Sequence, residues 1–166
     1  MPEYKDHLVH YVLVTGIVVK DGKYLVSKRA ENEDNFPGFW TVPGGKFETK
    51  DYMNREKDTN AHWYNVLEDL LRREVREEVG VEIKNINYVT SLVYIRTDGV
   101  PALIISLYAD WASGEVVLED SMTDYKWVTV EEAKELELIE GIYEEIEILD
   151  KKLKGEEAGE WKKGSK

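Results

Sequence analysis

Hydrophobic and polar positions change period several times along the chain, and each change predicts an element. Residues 9–19 (VHYVLVTGIVV) and 24–28 (YLVSK) are dense in β-branched and aromatic residues, and Asp21-Gly22 between them suits a tight hairpin turn. They predict a strand pair. The short run Trp40-Thr41-Val42 predicts a further strand, closed by Pro43. Residues 85–96 and 102–111 predict a second strand pair, turned by Thr97-Asp98-Gly99. Tyr88, Tyr94, Tyr108 and Trp111 fall on these strand patterns and read as core positions. Over 66–79 the period becomes helical. Asn65 and Glu68 have capping-box spacing at its start, and Gly80 suits the left-handed residue that ends a helix. A second helical repeat covers about 140–153, where Ile139, Ile142, Tyr143, Ile146, Leu149 and Leu153 should pack on the sheet. Thr129 and Glu132, again at capping-box spacing, begin a shorter helix between them. Strands and helices interleave, which predicts an α/β fold: an α/β/α sandwich around a mixed β-sheet. Residues 1–154 read as one domain and 155–166 as a flexible tail without periodicity.

Composition narrows the function classes. The 166 residues suit one compact domain, with 42% hydrophobic residues for a core and 34% charged residues for its surface. No apolar stretch approaches the roughly 18 residues needed to cross a membrane. The N-terminus also lacks the pattern of a secretory leader. The absence of cysteine excludes disulfides, thiolate metal sites and a cysteine nucleophile, and fits a cytoplasmic location. His7, His10 and His62 are not spaced as a zinc site. A formal net charge of −12 repels polyanions, so binding to nucleic acid backbone is not expected. A small anionic ligand is still admissible, because clustered carboxylates can load divalent cations that then receive phosphates.

The segment that carries chemistry lies on the helix predicted over 66–79. Glu74, Glu77 and Glu78 stand at i, i+3 and i+4 and share one face. Three carboxylates so close weaken a helix unless something compensates, and magnesium held by carboxylate oxygens and water would do so. Arg73, four residues before Glu77, can brace it, while Val75 and Val79 form an adjoining stripe for the core. Taken alone, such an Arg/Glu-rich segment is more often a solvated face laced with ion pairs. Its weight comes from what lies upstream. Residues 36–48 read FPGFWTVPGGKFE, in which Pro43-Gly44-Gly45 ends a strand and lets backbone approach a ligand closely, followed by Lys46.

Together, PGGK-x-E and RE-V-x-EE-x-GV resemble the Nudix box, G-x5-E-x7-RE-U-x-EE-x-GU, where U is a bulky apolar residue. Gly45 matches the opening glycine and residues 73–81 match the whole second half. With Phe39-Trp40 before it and Trp127-Val128 after it, the resemblance extends over about residues 8–153. Two departures stand out. Asp51 occupies the place of the family's glutamate, with Glu48 and Glu56 as other candidates for that part. Residues 52–72, 21 in number, replace the seven-residue spacer, which places a 14-residue insertion at about 52–65. His62, Trp63 and Tyr64 within it admit three readings: a lid that stacks on a base, a contact to a second subunit in a homodimer, or a tolerated surface insertion.

The resemblance implies a magnesium-dependent hydrolase, with manganese as a substitute, in which water attacks a phosphorus of a diphosphate linkage. It implies Glu77 and Glu78 as main metal ligands and Glu74 as ligand or base. A carbonyl of Gly44 or Gly45 would complete the coordination, and Arg73 would orient the glutamates. Lys46 and Arg29 would hold substrate phosphate, and Phe39, with Phe36, would meet the rest of the substrate. Asp124 or Glu119, in the segment before Trp127, would be an auxiliary ligand or base. The leading substrate is a nucleoside triphosphate or modified nucleotide, as in the MutT-like branch, with ADP-ribose or a nucleotide sugar as the alternative. A non-catalytic nucleotide sensor of the same fold is the competing class. The intact acidic positions of the helix argue against it.

Overall fold

The computed structural model describes residues 3–164. Strand β1 (Tyr11–Lys20) runs parallel to β6 (Pro101–Ser113), which pairs antiparallel with the edge strand β5 (Glu82–Ile95). On its other side β1 forks. Val19 and Lys20 pair with the start of β2 (Lys23–Arg29), through a turn in which Asp21 and Gly22 both have positive φ. Leu13, Val14 and Thr15 pair instead with β4 (Gly44–Lys46). Beyond the turn β2 diverges and pairs with β3 (Trp40–Thr41) and β7 (Met122–Val128). This fork positions the Pro-Gly-Gly turn, because it frees the flank of β1 for β4 just where helix α2 (Val66–Val79) crosses the sheet.

Helices cover both faces, as the sandwich requires. Strand alternation sends Val14 and Val18 to one side, where they meet Leu70, Leu71, Val75 and Val79 of α2. Ile17 points to the other side, with Tyr24 and Val26, toward Ile142, Tyr143, Ile146 and Leu149 of helix α4 (Ile142–Leu153). Gly16 lets α2 approach closely, since a Cβ there would lie 2.5 Å from Leu71 Cδ1. A short helix α3 (Val130–Lys134) precedes α4. It opens with the predicted capping box: Glu132 N–H donates to the Thr129 hydroxyl at 3.2 Å and Thr129 N–H to the Glu132 carboxylate at 2.8 Å.

Four local expectations are corrected. Asn65 makes no side-chain cap; it sits at φ 56°, ψ 27°, because the insertion delivers the chain to α2 through a left-handed residue. Leu153 is exposed in the last turn of α4. Tyr88 and Tyr94 are exposed rather than core, at 55% and 36%. Tyr94 lies where β5, about 45 Å long, runs past the roughly 18 Å of α4, whereas Tyr88 stands opposite Leu107 on the other face, beside a register shift in the edge strand. Tyr108 and Trp111, nearer the covered half, do pack against the two cores. In the tail, Trp161 returns to the domain, its indole N–H donating to the Gly141 carbonyl at 3.2 Å.

Candidate active site

The predicted acidic face forms on α2, and the sheet fork brings the glycine turn to it. Val75 and Val79, both fully buried, fix the rotation of the helix. Gly80, at φ 74°, ends it with its N–H on the carbonyls of Val75 and Arg76. Glu74 is then pressed onto Gly45. A Cβ at residue 45 would lie 2.2 Å from the Glu74 carboxyl carbon, so only glycine leaves that space to the carboxylate. At Gly44 the obstruction would be backbone, with the Val14 carbonyl oxygen 2.4 Å away.

Each carboxyl has a distinct environment. Glu78 accepts from the Gly44 N–H and shares a hydrogen bond with Glu74. Burial pushes the Glu78 carboxyl up to about 9, the charges of Glu74 and Glu119 add to the rise, and the Gly44 N–H opposes it. Glu74 is also raised, chiefly by burial, against the pull of Arg73. Glu77 is half exposed and turns to Arg73, whose guanidinium lies 3.1 Å from Glu77 and 3.0 Å from Glu74. The same guanidinium reaches Asp51, from Nη2 at 2.8 Å and from Nε at 3.0 Å. Of the carboxylates that the sequence offered for the family glutamate's part, Asp51 is the one found on Arg73, while Glu48 pairs with Lys50 at 2.9 Å.

The other sequence candidates are distributed around this centre. Glu119 reaches the Glu78 environment, held there by its own N–H on the Glu78 carbonyl at 3.2 Å. Asp124 lies elsewhere, on β7 opposite Lys28, its carboxylate accepting from the Tyr125 N–H. Lys46 is exposed on β4, where alternation turns it to the face opposite Gly45. Arg29 is committed to the loop that follows β2, with Nε on the Asn35 carbonyl at 2.7 Å and Nη2 on Glu33 at 3.2 Å. That loop presents Phe39, edge-on to Phe36 with ring centres 6.1 Å apart, and Phe36 in turn meets Tyr94 at 6.3 Å. Tyr94 joins this aromatic group although its strand pattern reads as core; only its place beyond α4 reveals it.

Among the described residues no three carboxylates converge on a single point, because Glu74 and Glu78 bond to each other and Glu77 to Arg73. The donor set nevertheless fits a hard divalent cation. It offers only oxygen, from Glu74, Glu77, Glu78 and the carbonyls of Gly44 and Gly45, with the Glu74 carboxylate set in the space that a Cβ at residue 45 would take. Crowded carboxylates whose charged forms are disfavoured are also the groups that a cation would relieve.

A family model for the NUDIX domain matches residues 10–147. The chain belongs to the Nudix family. Among similar proteins, the nucleoside triphosphatase NudI of Salmonella agona is 32% identical over 130 residues, covering 72% of this chain and 82% of that protein. Of solved structures, the MutT NUDIX hydrolase from Burkholderia pseudomallei aligns with a TM-score of 0.66 at 22% identity, over 84% of this chain and 97% of its own. The NUDIX domain of Shewanella oneidensis NrtR, solved in complex with ADP ribose, also aligns at 0.66, with 18% identity, 90% of this chain and 94% of its own. These two likenesses establish the fold. Nudix hydrolases act on nucleoside diphosphate derivatives, generally with divalent metal cations, and this chain is one of them. No helix among the described residues is long and apolar enough to cross a membrane.

Proposed function

We propose that this Nudix hydrolase is magnesium-dependent and cleaves a diphosphate linkage in a nucleoside triphosphate or modified nucleotide. The observation that carries the reading is the convergence of Glu74 and Glu78 on the Gly44-Gly45 backbone, where a cation and a phosphate can both approach. Glu74, Glu77 and Glu78 hold the cation, with the Gly45 carbonyl as a further donor. When bound, the cation supplies charge neutralisation of the diphosphate and lowers the pKa of the attacking water. Arg73 binds no substrate in this scheme; it orients Glu74 and Glu77 through the contacts already described. Glu119 is better placed than Asp124 as an auxiliary ligand or base, since its charge is already felt at Glu78. The exposed Lys46 takes a phosphate oxygen, while Phe36, Phe39 and Tyr94 offer aromatic faces to a nucleobase. Arg29 serves by holding the loop that carries the two phenylalanines.

The preference for a nucleoside triphosphate rests on the similarity to NudI, a nucleoside triphosphatase, over most of both chains. The test is phosphate release from a panel of nucleoside triphosphates, ADP-ribose, nucleotide sugars and dinucleoside polyphosphates, with coupled phosphatase or pyrophosphatase, with and without magnesium. Magnesium-dependent turnover of nucleoside triphosphates is expected. Turnover confined to ADP-ribose or sugar nucleotides would overturn the substrate assignment. Nucleotide binding without turnover of any compound would move the protein to the sensor class.

A further inference from the structure

The insertion that interrupts the box is folded, and the chain enters it through a four-residue helix α1 (Lys50–Met53), whose Asp51 meets the Arg73 guanidinium. So short a helix has no stability of its own and must be held from outside. Two contacts hold it. Tyr52 is packed between Phe47, at the end of β4, and Trp63, with ring centres 5.5 and 5.1 Å away. Trp63 is fixed in turn by its indole N–H on the Arg55 carbonyl at 3.1 Å. The Arg55 side chain then closes the insertion: it pairs with Asp58 at 2.9 Å, donates to the Tyr64 carbonyl, and reaches Asp69 on the first turn of α2 at 3.8 Å. Asp58 also accepts from the Tyr64 N–H at 2.8 Å. This closure leaves the Arg55 Nε buried without a partner, a cost that the rest of the cluster must offset.

The result is an Asp51 carboxylate only 2% exposed, with one oxygen on the Glu48 N–H at 2.7 Å and the other on Arg73. Asp51 is followed directly by Tyr52, so the aromatic stack and the Arg55 clamp, which ends on Asp69, tie the backbone that carries Asp51 to α2. We propose that the insertion is a brace for the catalytic helix, in which Arg55 and Trp63 are positioning residues that hold Asp51 on Arg73 and so fix Glu74 and Glu77. This accounts for Trp63 differently from a lid, since its ring and its N–H are both engaged within the insertion. The kinetic consequence rests on the hydrolase reading; the structural one does not.

The test uses the full chain, 15N-labelled, as Trp63→Ala, Arg55→Ala and the conservative Trp63→Phe, with Arg55→Lys held in reserve should the alanine variants fail to fold. Hydrogen exchange of the Arg73 side-chain Nε–H is followed by NMR in the protein without added metal, beside kcat, KM and the thermal midpoint. In both alanine variants, Arg73 Nε–H exchange should accelerate at least about tenfold while the α2 core amides at Val75 and Val79 keep their protection. Turnover should fall about 10- to 100-fold in kcat, the usual cost of losing support behind a metal ligand, with KM within about threefold of wild type. Trp63→Phe, which keeps a ring against Tyr52 but loses the N–H bond to Arg55, should recover part of both. Unchanged Arg73 exchange in Trp63→Ala, or loss of protection throughout α2, would overturn the brace, as would an unaltered kcat. If the wild-type protein turns over no nucleotide, the hydrolase reading fails separately, and Arg73 exchange alone decides the brace.

Discussion

Gly44 and Gly45 are adjacent in sequence, yet they are required for different reasons, and substitution should separate them. A methyl group at residue 45 meets the end of the Glu74 side chain, which can swing aside. Gly45→Ala is therefore expected to leave the thermal midpoint nearly unchanged while turnover falls, because the displaced carboxylate is the one that faces the turn. A methyl group at residue 44 meets the Val14 carbonyl, which belongs to β1 and cannot move alone. Gly44→Ala should cost about 1–3 kcal/mol of stability, as overpacking usually does, measured by urea unfolding. Equal effects of the two substitutions on stability would contradict this division. Glu78→Gln and Glu77→Gln should each lower kcat by at least the ~10–100-fold typical of a damaged metal site, while the fold persists. Turnover unaltered in either would remove that residue from the metal site.

Helix α4 carries a buried acid with no part in the proposed chemistry. Glu145 is 5% exposed, and its carboxyl accepts from the Ser106 hydroxyl of β6 at 2.8 Å. Burial pushes it from its ordinary 4.5 up to about 7; the Ser106 bond opposes the rise and the charge of Glu144 adds to it. Folding thus favours the protonated form. The stability this contributes is fully present below about pH 4.5, declines as the unfolded chain ionises, and is lost as the pH passes 7. Glu145→Gln, which cannot ionise, should exceed wild type in stability at pH 8 by about 2–3 kcal/mol relative to their difference at pH 4.5. Urea midpoints at the two pH values check this; parallel curves would mean that Glu145 ionises freely in the fold. On the opposite face, Leu71→Ala should cost about 2–5 kcal/mol, since Leu71 is fully buried against Gly16 and the sheet beneath it has little room to collapse.

Considered as one body, the molecule is strongly acidic, with a net charge of −12 and pI near 4.8. Phosphate-rich polymers should therefore gain nothing from its surface, and fluorescence anisotropy with labelled single- and double-stranded oligonucleotides at 150 mM salt is expected to detect no binding. Affinity that falls steeply with added salt would disprove this by exposing a basic surface. Much of the architecture was legible in the chain because the signals are local. The Asp21-Gly22 turn, the alternation of Val14, Ile17 and Val18, the stripe of Val75 and Val79, and the Thr129 cap each depend on neighbours a few residues away. The acidic face of α2 follows from helical spacing in the same way. Other features belong to the tertiary structure alone. Asn65 stands at a capping position by spacing, but the insertion imposes a left-handed backbone there. Tyr88 and Tyr94 fall on a strand pattern as core residues do, but on an edge strand both are exposed, Tyr88 beside a register shift and Tyr94 on the stretch that runs past α4. Asp51 rather than Glu48 meets Arg73, and Glu119 rather than Asp124 reaches Glu78. Each of these choices was made between carboxylates of similar chemistry a few residues apart. Periodicity assigns a side chain to a face of its own element, whereas a long-range contact depends on the path of the loop that returns the chain, and only packing decides that path.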